Sequence, residues 1–176
     1  MPKFESQNGE VGFYDFLPKI LMHYGLDDTT GETSTLSSPV GIDIRVDGSM
    51  YNIYVADSGQ QQPMFSSVRK FSVPISEVAE NSASPRKAPR PGIRPGCVPS
   101  GLALGPDGQW AIVSCSGVSE ILKIDFDSQA VVTIAGSRSM ALETEGYLDG
   151  IGTMATFRYP IGIVVSPGGE YALIAE

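Results

Sequence analysis

The chain has 176 residues, a formal net charge of −8 and a pI near 4.6, with 41% hydrophobic and 18% charged residues. That apolar content excludes a disordered chain, no apolar run approaches the roughly 20 residues of a membrane-spanning helix, and the acidic balance does not suit a nucleic-acid binder, whose phosphate contacts need a basic face. Its 20 Gly and 13 Pro, with short apolar bursts between them, predict short strands and many turns.

Residues 1–18 read as an N-terminal tail. They hold no basic region followed by an apolar stretch, so no secretory signal is seen. Residues 19–25 predict an outer strand. It carries His23, the only histidine, which reads as a core or edge side chain. One histidine excludes a His-based zinc site and leaves a Ser-His-Asp arrangement a single possible base. Asp28 and Gly31 then lead to Leu36 and Pro39, with the same spacing as Asp149 and Gly152 to Phe157 and Pro160. The two aspartates read as loop-ordering residues.

Three segments share a pattern: Pro39-Val40-Gly41-Ile42, Pro99-Ser100-Gly101-Leu102 and Pro160-Ile161-Gly162-Ile163. Each has Pro, Gly two residues later, a short apolar strand, and a turn pair beginning six residues after the Gly: Asp47-Gly48, Asp107-Gly108 and Gly168-Gly169. Turn residues that tolerate positive φ suit tight hairpins. Ile42, Ile44 and Val46 alternate with Asp43, Arg45 and Asp47, the period of a strand with one wetter face. Second strands follow at 51–56, 110–114 and 171–175. Third strands follow at 67–73 and 120–126, and a fourth at 130–135. Lys123 and Asp125 share a face of one of them and read as a solvated pair. Four meandering antiparallel strands per repeat describe a propeller blade, which hides its faces only against neighbouring blades.

At this level of detail the sequence resembles the NHL-repeat family of β-propellers. The resemblance rests on the Pro-x-Gly strands, the Asp-Gly turns, Tyr54-Val55-Ala56-Asp57-Ser58-Gly59, and the connector from Thr133-Ile134-Ala135-Gly136 through Asp149-Gly150-Ile151-Gly152 to Pro160. It covers most of residues 19–176: repeat one at 39–98, repeat two at 99–159 and the start of repeat three at 160–176. The fold expected is an incomplete β-propeller of four-stranded antiparallel NHL-type blades. The remaining blades would come from a longer chain or another subunit. Asn, frequent in such repeats after the Asp-Ser-Gly turn, is replaced by Gln60 and Val118. Residues 60–65 are an extra stretch within the first repeat.

Chemistry is sparse. Asp57 and Glu176 occupy equivalent strand ends and are the carboxylates that could join a metal site, with oxygen ligands suited to a hard cation. Turn capping is their plainer role. Cys97 and Cys115 cannot build a disulfide framework; two free thiols in a reducing compartment are expected over a single bridge, which with the missing signal points to the cytoplasm. Gly146 to Gly152 is Gly-rich but opens no helix after a strand, so it is not read as a phosphate loop. The Pro-rich connector 82–96 holds four of the chain's twelve basic residues, and these, Arg86, Lys87, Arg90 and Arg94, could dock an acidic partner. The connector stands where a fourth strand is expected, although 75–78 could supply a short one. No catalytic constellation, cofactor or membrane contact is expected. The function expected is a binding or scaffolding module for protein partners; the alternative is a piece of a propeller hydrolase or lactonase with an oxygen-ligand metal site.

Overall fold

The computed structural model describes residues 36, 38–59, 66–76, 93, 95–137 and 148–176. The tail, the strand expected at 19–25, the stretch 60–65 and most of the basic connector lie outside them.

Within the described residues the chain is all-β, with only short helical turns, and forms an incomplete β-propeller of three successive antiparallel sheets. The first contains β1 (Pro39–Asp47), β2 (Met50–Asp57) and β3 (Ser67–Pro74). The second contains β4 (Gly101–Leu104), β5 (Trp110–Cys115), β6 (Glu120–Asp125) and β7 (Val131–Gly136). The third contains β8 (Gly162–Val165) and β9 (Ala172–Ala175). Each sheet is a simple meander, so every strand pairs with its neighbour in sequence. The turn glycines act as expected: Gly48 and Gly108 have φ of +55° and +70°, where an L side chain would be strained.

The four-stranded expectation holds in full for the second blade. In the first, Ile75 and Ser76 are helical rather than extended, which corrects the short strand expected there. The outer edge of β3 is met instead by one residue of the connector. Val68 and Ile93 exchange both backbone hydrogen bonds, at 2.8 and 2.9 Å. Prolines at 91 and 95 flank that residue, and a proline cannot donate to a ladder.

The registers place Ala56, Ser114 and Ala175 at one equivalent position, opposite Gly41, Gly101 and Gly162. From this alignment each blade has a forward face, toward the next blade in the chain, and a rear face. Tyr54, Ala56 and Val68 of the first blade meet Leu102, Leu104, Ala111 and Val113 of the second in one apolar cluster. Ala103, Ile112 and Ile121 of the second meet Ile163, Val165, Ala172 and Ile174 of the third in another. A further cluster of Ile53, Val55, Phe71 and Val73 lies on the rear of the first blade. The core is therefore mostly interblade. Each fully buried aliphatic side chain in it contributes roughly 1.5–3 kcal/mol.

The repeated glycine explains how closely blades approach. A Cβ on Gly101 would overlap the carbonyl oxygen of Ile161 in the next blade, and one on Gly41 would lie 3.0 Å from the Leu102 amide nitrogen. Close backbone passage, rather than turn geometry, is what glycine supplies there.

Candidate functional site

The aligned strand ends hold Asp57, Cys115 and Glu176, and all three fasten the blade to its own lead-in segment. Asp57 is fully buried; its Oδ1 accepts from the amides of Ser38 (2.7 Å) and Gly59 (3.1 Å). Glu176 Oε2 accepts from the Arg158 amide at 2.7 Å. In the second blade Cys115 is bonded to Cys97, with a Cα–Cα distance of 6.0 Å, within the usual span of a disulfide. Cys97 and Arg158 each lie two residues before their proline, and Ser38 lies one before its own. One mechanical task is thus done by carboxylate–amide hydrogen bonds in the first and third blades and by a covalent bond in the second. The expectation of free thiols is corrected: position brings the sulfurs together, because the strand end and the lead-in segment are neighbours in every blade. Among the described residues no three His, Cys, Asp or Glu side chains gather as a metal centre, and Asp57 and Glu176 sit on different blades.

A groove of about 270 Å³ lies where the innermost strands end, lined by Asp43–Arg45, Leu104–Pro106 and Val165–Pro167. Pro106 and Pro167 contribute apolar surface to it. Asp43 Oδ1 accepts from the Ile44 amide and Oδ2 from the Leu104 amide, both at 2.8 Å. Arg45 Nη1 donates to the Gly105 carbonyl at 2.8 Å, and Ser166 Oγ donates to Glu170 Oε2 at 3.0 Å. The polar groups are bonded within the protein, and the surface they leave exposed in the groove is more polar than apolar. The alternation in β1 placed Asp43 and Arg45 on a wetter face. That face instead meets the second blade, and the readable signal was a pair of opposite charges on an innermost strand.

Lys123 and Asp125 interact only weakly: the Lys123 charge is the smallest of the influences that lower the Asp125 carboxyl. Lys123 Nζ lies over the Trp110 ring, 4.7 Å from its centroid. Asp125 Oδ1 accepts from the Ser128 hydroxyl (2.7 Å) and amide (2.8 Å). The Ser128 side-chain bond is the main reason its carboxyl stays below the ordinary carboxylate range, followed by the Ser128 backbone bond. Asp149 is exposed, and the loop after it is closed by Thr156: its Oγ1 accepts from the Leu148 amide at 2.8 Å and its amide donates to the Leu148 carbonyl at 3.0 Å. Gly152 takes φ +59° at the start of a 3-10 turn. Arg86, Lys87, Arg90 and Arg94 lie outside the described residues.

Neither the protein-family models nor the curated proteins contain a match to the chain. Solved structures do resemble it. A protein of unknown function from Desulfotomaculum acetoxidans aligns with TM-score 0.51 and 19% identity over 81% of this chain and 36% of its own. Hydrazine synthase from Kuenenia stuttgartiensis aligns with TM-score 0.49 and 19% identity over 86% and 32%, respectively. A gluconolactonase from Xanthomonas campestris aligns with TM-score 0.39 and 21% identity over 79% and 40%. The likeness to the Desulfotomaculum protein is one of fold, and the chain spans only about a third of the length of the first two structures and 40% of the gluconolactonase.

Proposed function

We propose that this chain is an NHL-type propeller unit that acts as a non-catalytic binding or scaffolding module for protein partners. One observation carries the reading: the carboxylates best placed for chemistry, Asp57 and Glu176, are used to fasten backbone amides. The groove beside Asp43 and Arg45 suits a polar peptide loop, because its exposed surface is mainly polar and the Asp43 carboxylate and Arg45 guanidinium are held in place by backbone groups. The basic residues Arg86, Lys87, Arg90 and Arg94 would add an acidic protein surface as a second contact. For the setting, the disulfide favours an oxidising compartment over the cytoplasm expected from free thiols.

The test is affinity enrichment from host extract with the chain and with Pro167→Arg, a change on the exposed rim of the groove. A partner held by the first and lost from the second is the expected result. Ca²⁺-dependent hydrolysis of a lactone panel by the chain, abolished by Asp57→Ala, would overturn the proposal in favour of a hydrolase.

A further inference from the structure

The three fastened strand ends differ in what can undo them. Asp57 and Glu176 use carboxylate–amide hydrogen bonds, which no reductant touches. The second blade uses sulfur, and both cysteines of the chain are in that bond. The bond also sits at a joint. Cys97 and Cys115, 2% and 0% exposed, belong to the apolar cluster shared by the first two blades, and Ile93 packs on the same cluster. Ile93 lies four residues before Cys97 and meets Val68 on the outer strand of the first blade. The end of the connector is thus fastened twice: to the first blade by two backbone hydrogen bonds, and to the second by the disulfide. After Cys97 the chain is held separately. Pro99 is fully buried, the Ser100 amide donates to the Ser114 carbonyl at 2.8 Å, and the Ser116 amide donates to Ser100 Oγ at 3.2 Å. These contacts keep the start of β4 in place whether or not the sulfurs are joined.

We propose that the Cys97–Cys115 bond is a redox latch, whose reduction frees the end of the connector at Ile93 and leaves the second blade folded. The latch is independent of what the groove binds. A dithiol supplies the two electrons. One of its thiolates attacks a sulfur of the bridge and forms a mixed disulfide, and its second thiolate then displaces the cysteine from that intermediate. The products are the Cys97 and Cys115 thiols, which carry the two protons of the dithiol, and the dithiol in its oxidised, cyclic form. Exchange with an oxidised thiol reverses the step. While the bridge is closed, Ile93 is tethered close to a fixed point, which keeps its effective concentration at Val68 high. With the bridge open, two backbone hydrogen bonds and a half-buried Ile93 side chain hold the connector end alone. The two thiols then behave differently. Cys115 is paired with Glu120 within the second sheet, and its carbonyl accepts from the Val118 amide at 3.2 Å, so it stays buried as a small apolar side chain. Cys97 leaves the cluster with the connector end and becomes the accessible thiol.

The experiment uses the 176-residue chain, oxidised and then reduced with dithiothreitol, with amide exchange followed by NMR in both states. The Val68 and Ile93 amides are protected in the oxidised chain. In the reduced chain they exchange within about tenfold of the free-chain rate, while amides of β5 and β6 stay slowed by at least about a hundredfold. With the reductant removed under argon, iodoacetamide modifies Cys97 at least about tenfold faster than Cys115, as read by mass spectrometry. Oxidised glutathione restores the protection of Ile93. Cys115→Ala opens the bridge without a reductant and reproduces the fast exchange of Ile93. Equal protection of Ile93 in the oxidised and reduced chains overturns the proposal, as does equal labelling of the two thiols. Loss of protection throughout β5 and β6 on reduction also overturns it, by making the bridge a requirement for folding rather than a latch.

Discussion

At the scale of single residues, the same position is fastened with two different chemistries, and each has a measurable cost. Asp57→Ala removes a buried carboxylate that accepts two amide hydrogen bonds. Bonds to charged groups are worth roughly 1.5–3 kcal/mol, so a loss of about 2 kcal/mol in urea unfolding is expected, with Asp57→Asn losing less. Reducing the disulfide, which spans 18 residues, should cost about 3 kcal/mol by loop-closure entropy. The check is the shift in urea midpoint with and without dithiothreitol, reproduced by the Cys97→Ser/Cys115→Ser double variant. A midpoint unmoved by reductant would remove the bridge from the account of stability. Asp125 supplies the pH term. Its folded carboxyl titrates lower than it does unfolded, so its contribution is present above the unfolded value and is lost as pH falls through the folded one. Ser128→Ala should raise its titration point toward the ordinary range, as read by NMR. An unchanged titration would show that Ser128 is not the cause.

At the scale of elements, the Pro-x-Gly strands and turn pairs made the blades legible, because a meander is written in local spacing. The hairpin registers followed from that spacing, including the equivalence of Asp57 and Glu176. What spacing could not show were contacts between segments far apart in sequence. The pairing of Cys97 with Cys115 depends on the lead-in segment folding back beside the end of β5. The single bridge from Ile93 to Val68 depends on a connector whose prolines forbid a longer ladder. Asp43 and Arg45 were visible as polar positions, but their partners lie 61 and 60 residues away and are backbone groups with no side-chain signature. Gly101 sits at the tightest of these approaches. Gly101→Ala would push its Cβ onto the Ile161 carbonyl, so a loss of about 1–3 kcal/mol is expected from overpacking. The measurement is thermal unfolding, with amide exchange in β8 expected to rise more than in β2. Wild-type stability in this variant would mean that the blades can separate without cost.

At the scale of the whole molecule, stability should run along the row of blades. The first two blades are buried on both faces and the third on one, so the third should be the least protected unit. Hydrogen exchange should be slow in β2, β5 and β6 and fastest in β8 and β9. Uniform protection across all three blades would show that the array unfolds as one cooperative body.

The polar contact between the first two blades has a consequence for assembly. Asp43 and Arg45 bond to Leu104 and Gly105, but the aligned places in the next interface hold Ala103 and Gly105, which carry no charge. Rows of similar modules are exposed to shuffled or swapped pairing while they fold. A pair of charges present at one joint and missing from the next acts as a label, so a first blade docked on the wrong neighbour would leave Asp43 and Arg45 to find new partners. In this chain, blade order is thereby written in electrostatics as well as in covalent sequence.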